Sequence, residues 1–182
     1  MIRIHLIRHA PALHDGRLCG RRDVDADCSD RATLQGLAQM IASVAPTAIW
    51  SSPARRCAQT CAALGLTHRK RPALWEQDFG EWEGLSHDAL PDLGPLTSDQ
   101  LACHRPPGGE SFLDMAARVH PLLGTAKGQV VIVAHAGTVR AALALVVGSA
   151  ALSFDVSPLS ITTLTRHDHN WSIERVNCQA LA

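Results

Sequence analysis

Two histidines each close an apolar run. Ile2 to Ile7 places Ile2, Ile4 and Leu6 on one face at period two and leads into Arg8-His9-Ala10. Val130-Val131-Ile132-Val133-Ala134 leads in the same way into His135. A neutral imidazole is a nucleophile or base near working pH. An arginine beside it offers a planar fork that matches phosphate oxygens. Ser51 to Thr60 adds Arg55 and Arg56 in the first turn of a helix, an end whose dipole disfavours cations unless an anion binds there. Glu76 to Gly84 supplies carboxylates beside aromatic rings, a setting that favours a raised pKa. His135-Ala136-Gly137 opens a helix N-terminus, where anions bind. A nucleophile, cations and a proton donor are what metal-free phosphoryl transfer requires.

The elements that must position these groups follow from periodicity and punctuation. Strands are expected at 2–8, 47–50, 71–75 and 129–134, with a terminal hairpin over 161–165 and 171–176 turning at Asp168 to Asn170. Helices are expected from Ser29 or Asp30 to Val44, from Ser52 to Leu64 and from Gly137 to Val147. Ser52 reads as an N-cap with Pro53 at the first helical position, and Ser111 with Asp114 as a capping box opening a further helix. Residues 11–29 read as a polar loop. Residues 84–109, with Pro91, Pro95, Pro106 and Pro107, are the least regular stretch. Alternating strands and helices point to an α/β fold, expected as a three-layer α/β/α sandwich on a mostly parallel mixed sheet, one domain over 1–182. Ligands bind at the C-terminal strand ends of such sheets, where both histidines fall.

Composition narrows the function. Lys plus Arg and Asp plus Glu are 17 each, which argues against general binding to nucleic acid or an anionic membrane. Six cysteines form no Cys-x-x-Cys pair; Cys57 and Cys61 read as small buried apolar residues. Charged residues interrupt the first apolar run, so no leader pattern is visible, and Ala141 to Leu152 is too short to span a bilayer. A reducing cytoplasmic setting is expected. His167 and His169 read as an exposed turn, and Trp75 and Trp82 as packing residues.

Five segments in order resemble the histidine phosphatase superfamily, which includes the cofactor-dependent phosphoglycerate mutases. Arg8-His9-Ala10 is similar to its Arg-His-Gly signature. Ser51 to Thr60 resembles its Ser-Ser-x-Leu-x-Arg-x-x-Gln-Thr segment and selects Arg56. Glu76 to Gly84 resembles Glu-x-x-Phe-Gly-x-Trp-Glu-Gly, Pro107 to Ser111 the usual lead into a helix, and Val133 to Gly137 the second-histidine motif. The resemblance implies that His9 is phosphorylated, that Arg8, Arg56 and His135 hold the phosphoryl oxygens, and that Glu76 is the proton donor. Glu83 is its rival and Glu81 ranks third. Gly20, Arg21 and Ala136 join Arg8 and Arg56 as expected substrate contacts. The resemblance implies no cofactor and no metal, a small phosphorylated substrate, and a monomer or homodimer.

The chain departs from the family pattern at Ala10 and Ala136, where glycines are usual; alanine serves if φ is negative there. Ala26 to Gly36 is also longer and more polar than the usual link, which bears on Gly20, Arg21 and Arg22. The leading expectation is a metal-independent phosphomonoesterase. A mutase is the alternative, but only about fifty residues separate Gly84 from His135, leaving little chain to close the site against water. A non-catalytic phospho-ligand binder is the other alternative, and a pseudoenzyme would be expected to have lost one of the five site residues. Leu18 to Val24 resembles the Cys-Tyr-Gly-x-x-Asp-Val loop of α-ribazole-phosphate phosphatases, without the tyrosine. Small phosphohistidine-protein phosphatases fit the length, but the Trp-Glu-Gly segment fits them less well.

Overall fold

The computed structural model describes residues 1–180. Six strands form one sheet: β1 (Ile2–Arg8), β2 (Ala48–Ser51), β3 (Arg69–Lys70), β4 (Gln129–Ala134), β5 (Ile161–His167) and β6 (Asn170–Cys178). Their order is β3-β2-β4-β1-β5-β6. The first four in that order run parallel, while β5 pairs antiparallel with both β1 and β6. The expected mixed, mostly parallel sheet is therefore present. β1 and β4 lie side by side from Arg3↔Gln129 to Arg8↔Ala134, so both histidines leave the sheet together.

Alternate residues of the central strands feed two cores, one on each face. On one face Ile4, Leu6, Val130 and Ile132 meet α4 (Phe112–Gly124) and α5 (Ala136–Val147). On the other, Ile7, Val131 and Val133 meet α1 (Arg31–Ser43) and α2 (Arg55–Ala63). That is the three-layer arrangement. The Ser111–Asp114 capping box closes on both sides, as expected.

Three local expectations are corrected. Residues 71–75 are not a strand: β3 ends at Lys70, and Pro72, which has no N–H to give a ladder, opens a 3-10 turn over Pro72–Leu74. Ser52 is not the cap of α2; the helix starts at Arg55 behind Ala54, and the Ser52 hydroxyl faces His135 instead. Inside the stretch read as irregular, α3 (Ser98–Cys103) forms behind a Thr97–Gln100 capping box. The run Ala136–Ser153, α5 plus the 3-10 turn after it, reaches 18 residues and a mean hydropathy of 1.5, enough by length and composition for a membrane span. That is longer than Ala141 to Leu152, and here it packs on the sheet beside α4, with Val139, Ala142 and Leu143 fully buried.

Candidate active site

The backbone N–H of His9 donates to the Ala134 carbonyl at 2.9 Å, so the first step beyond β1 is tied to the last residue of β4. The rings of His9 and His135 meet edge to face, centroids 5.1 Å apart, and are 5% and 0% exposed. His9 Nδ1 lies 2.6 Å from the Ala10 carbonyl, which can only accept. The proton therefore sits on Nδ1, and Nε2 presents its lone pair. Arg56 Nε lies 3.3 Å from His9 Nε2 and 3.3 Å from His135 Nδ1, sharing one N–H between two lone pairs. His135 then donates from Nε2 to the Ser52 hydroxyl at 2.8 Å. Burial, reinforced by the charges of Arg56 and Arg8 and opposed by the Ala10 carbonyl, pushes His9 down to about 3. Burial also holds His135 well below its ordinary value, helped by His9 and Arg56. Both rings are neutral in the folded protein at neutral pH.

Arg56 is 1% exposed, a cation buried in the first turn of α2. Carbonyl oxygens compensate it: its Nη1 donates to Arg22 O at 2.9 Å and its Nη2 to Gly20 O at 2.8 Å. The loop carrying those carbonyls is held by Glu83, whose carboxylate accepts from the backbone N–H groups of Gly20, Arg21 and Arg22 at 2.7–3.2 Å. A chain of contacts thus runs from Glu83 through the loop to Arg56 and on to His9. No side chain fits at Gly20, where a Cβ would come within 1.9 Å of the Gln77 carbonyl.

Glu76 and Glu83 therefore occupy different places. Glu83 is committed to the loop backbone. Glu76 lines the same cavity as Arg8, His9, Arg56 and Ala136, and accepts from Gly137 N at 3.1 Å and Gln77 N at 3.0 Å. It sits against the first turn of α5, whose positive end suits a carboxylate. Gly137 makes room for it: a Cβ there would lie 2.1 Å from Glu76 Oε1. Glu81 is exposed. Arg8 reaches the cavity while its Nη1 donates to Val156 O at 2.6 Å. Neither Ala10 nor Ala136 has a positive φ, so neither needs glycine's freedom.

The structure gathers Arg8, His9, Arg56, Glu76 and Ala136 around one cavity of about 350 Å³, with His135 against His9 and Arg56 behind it. Gly20 and Arg21 stand apart from its lining. Gly20 has its N–H on Glu83 and its carbonyl on Arg56. Arg21 lies 5.5 Å over the Trp75 ring and 3.5 Å from Glu110. Sequence reasoning passed over His14, Arg17, His87 and Arg140, which also line the cavity. It also passed over Arg118. That guanidinium donates to the carbonyls of Ala73 at 2.7 Å, Trp75 at 2.8 Å and Glu76 at 3.0 Å while paired with Glu110, and so fixes the backbone that carries Glu76. Arg118 falls in the middle of α4 with no local motif; Arg140, five residues after His135 on the same helix, was the one readable signal. Cys57 and Cys61 are buried free thiols, as expected of small core residues, and burial pushes Cys61 up to about 12.

Comparison with known proteins places the chain in a family. The sequence profile of the histidine phosphatase superfamily (branch 1) matches residues 4–179. Glucosyl-3-phosphoglycerate phosphatase of Mycolicibacterium vanbaalenii is 31% identical over 167 residues, covering 80% of this chain and 74% of that protein. Human 6-phosphofructo-2-kinase/fructose-2,6-bisphosphatase 4 is 29% identical over 158 residues, 81% of this chain but only 33% of its own length, so the chain spans a third of that relative. The native structure of mycobacterial glucosyl-3-phosphoglycerate phosphatase superimposes with a TM-score of 0.84 at 28% identity, covering 98% of this chain and 99% of that one. The chain belongs to the histidine phosphatase superfamily, branch 1, and stands among phosphatases within it.

Proposed function

We propose that the protein is a metal-independent phosphomonoesterase working through a phosphohistidine on His9. The observation that carries this reading is the neutral His9, its Nε2 lone pair facing Arg56 in a cavity shared with Arg8 and Glu76. In the first step Nε2 attacks phosphorus and the ester P–O bond breaks. Glu76 gives its proton to the departing oxygen. Arg8 and Arg56 stabilise the charge on the equatorial oxygens, and His135 joins them once its Nε2–H turns from the Ser52 hydroxyl to the phosphoryl group. In the second step Glu76 takes a proton from water, the oxygen attacks phosphorus, and His9 leaves as neutral imidazole with inorganic phosphate as product.

Hydrolysis is favoured over mutase chemistry because exposed residues, Arg17 and His87, form part of the cavity wall and leave it open to water. The intact set of site residues favours catalysis over passive phospho-ligand binding. The substrate is a small phosphorylated metabolite. α-Ribazole 5′-phosphate is one candidate, from the resemblance of Leu18 to Val24; glucosyl-3-phosphoglycerate is another, from the relatives. The reading carries with it a cytoplasmic monomer or homodimer acting on neither nucleic acid nor membrane, supported by balanced charge and free thiols. The test is hydrolysis of p-nitrophenyl phosphate in EDTA by wild type and His9→Ala. Turnover that survives EDTA and disappears in the variant is expected; turnover retained by His9→Ala would overturn the assignment.

A further inference from the structure

The cavity holds more cationic and hydrogen-bonding groups than one phosphoryl group uses. Its lining contains a single carboxylate, Glu76. Arg8 and Arg56 serve the phosphoryl oxygens, and Arg140 lines the cavity with them. Arg17, His14 and His87 remain, and the backbone brings them together at the outer side. Arg17 pairs with Ser86, the neighbour of His87. Leu18 N donates to Leu85 O and Gly84 N to Leu18 O, both at 2.8 Å, zipping the two loops. The Arg17 N–H donates to the His14 carbonyl at 2.9 Å, a turn that puts both side chains on the cavity.

Two details point to a ligand there. His14 Nδ1 is buried without any hydrogen-bond partner, although its residue lines the cavity. Arg17 Nη1 is steadied by the Gly84 carbonyl at 3.0 Å, which orients the fork and leaves its other N–H groups to act as donors. Leu18 and Phe79 line the cavity as well and supply its apolar wall.

We infer that the substrate carries a second anionic group, a carboxylate or a second phosphate, held by Arg17 with His14 and His87, its carbon skeleton lying on Leu18 and Phe79. This inference rests on the phosphatase reading and deepens it to a substrate class: acidic phosphomonoesters. An ester whose remainder is uncharged, such as α-ribazole 5′-phosphate, leaves these donors unmatched.

The experiment compares kcat/KM within matched pairs. One pair is 3-phosphoglycerate against glycerol 3-phosphate; the other is fructose 1,6-bisphosphate against fructose 6-phosphate. p-Nitrophenyl phosphate reads hydrolysis as such. Wild type is expected to favour the acidic member of at least one pair by about tenfold or more, the scale of a charge-assisted hydrogen bond. Preference in the first pair alone identifies a carboxylate, and in the second alone a phosphate. Arg17→Ala, at an exposed position, is expected to bring that ratio close to one, with Arg17→Lys between. Hydrolysis of p-nitrophenyl phosphate without preference in either pair overturns the second-anion site and leaves the phosphatase reading standing. A preference that survives Arg17→Ala, His14→Ala and His87→Ala alike also overturns it. If nothing is hydrolysed, the phosphatase reading fails on its own, and calorimetric titration of the same pairs decides the site: equal Kd values within both pairs overturn it.

Discussion

The two sides of the cavity are built by different means. His9, His135 and Arg56 come from the ends of β1 and β4 and the first turn of α2, so regular elements aim them. The opposite side, residues 14–22 and 76–87, has almost no regular structure and is held by carboxylates on backbone groups: Glu83 on Gly20, Arg21 and Arg22, and Glu110 on Asp78. Where no helix or strand satisfies the peptide N–H groups, a charged side chain does, at a net stabilisation of about 1.5–3 kcal/mol per charge-assisted bond. The groups proposed to react are thus held by secondary structure, while the wall around them is held only as long as a few side chains stay in place.

Substitutions can break this contrast in graded steps. His9→Ala, on the rigid side, should reduce turnover by about a thousandfold or more, read as steady-state hydrolysis with EDTA present. Glu76→Gln should cost about 10²–10⁴-fold with an alkyl phosphate, whose leaving oxygen needs a proton, and far less with p-nitrophenyl phosphate. An equal loss on both esters would remove the proton-donor role.

The rigid side also has a titration signature. Both imidazoles take up protons near 6.5 in the unfolded chain, whereas burial holds His9 down to about 3 and His135 well below its ordinary value in the fold. Stability is therefore complete above about 6.5 and lost as pH falls toward about 3, by up to about 1.4 kcal/mol per pH unit for each ring. Urea midpoints at pH 7, 6 and 5 read this directly. A flat series across that range would mean that the rings are charged in the folded protein.

On the irregular side, Glu83→Gln keeps one acceptor oxygen and loses the charge. It should lower kcat by about tenfold through a loosened Arg56, and leave the leaving-group dependence of wild type intact. If the variant instead acquires the leaving-group dependence expected of Glu76→Gln, then Glu83 is the proton donor. The smallest effect is expected far from both sides. Thr97→Ala removes the cap of α3 and should cost about 1 kcal/mol in thermal or urea unfolding with no kinetic consequence.

The same contrast explains what could be read from the sequence. β1, β4, α1 and α4 carry strong periodicity or a capping pair, and the strand-end histidines follow from them. α3 spans six residues, too few for a periodic stripe, and its signal was the Thr97–Gln100 pair alone. Residues 71–75 looked extended, but a proline without an N–H outweighs local β propensity. Glu76 and Glu83 share one motif in the sequence; only the fold shows one lining the cavity and the other gripping a loop. Arg118 was silent because most of its partners are main-chain carbonyls, and which main-chain groups lie nearby is a property of tertiary structure.

The strand order has a consequence for how the molecule comes together. β1 lies between β4 and β5, both from the last third of the chain, so its first ladder partner is 126 residues away at Arg3↔Gln129. Until that segment arrives, Ile4, Leu6 and Ile7 have no sheet to join. Contacts of such sequence separation form late, after most of the loop-closure entropy has been lost. His9 and His135 meet only when this pairing closes, so catalytic competence should appear late in refolding, after the local helices. An unpaired β1 is the segment most exposed to aggregation on the way.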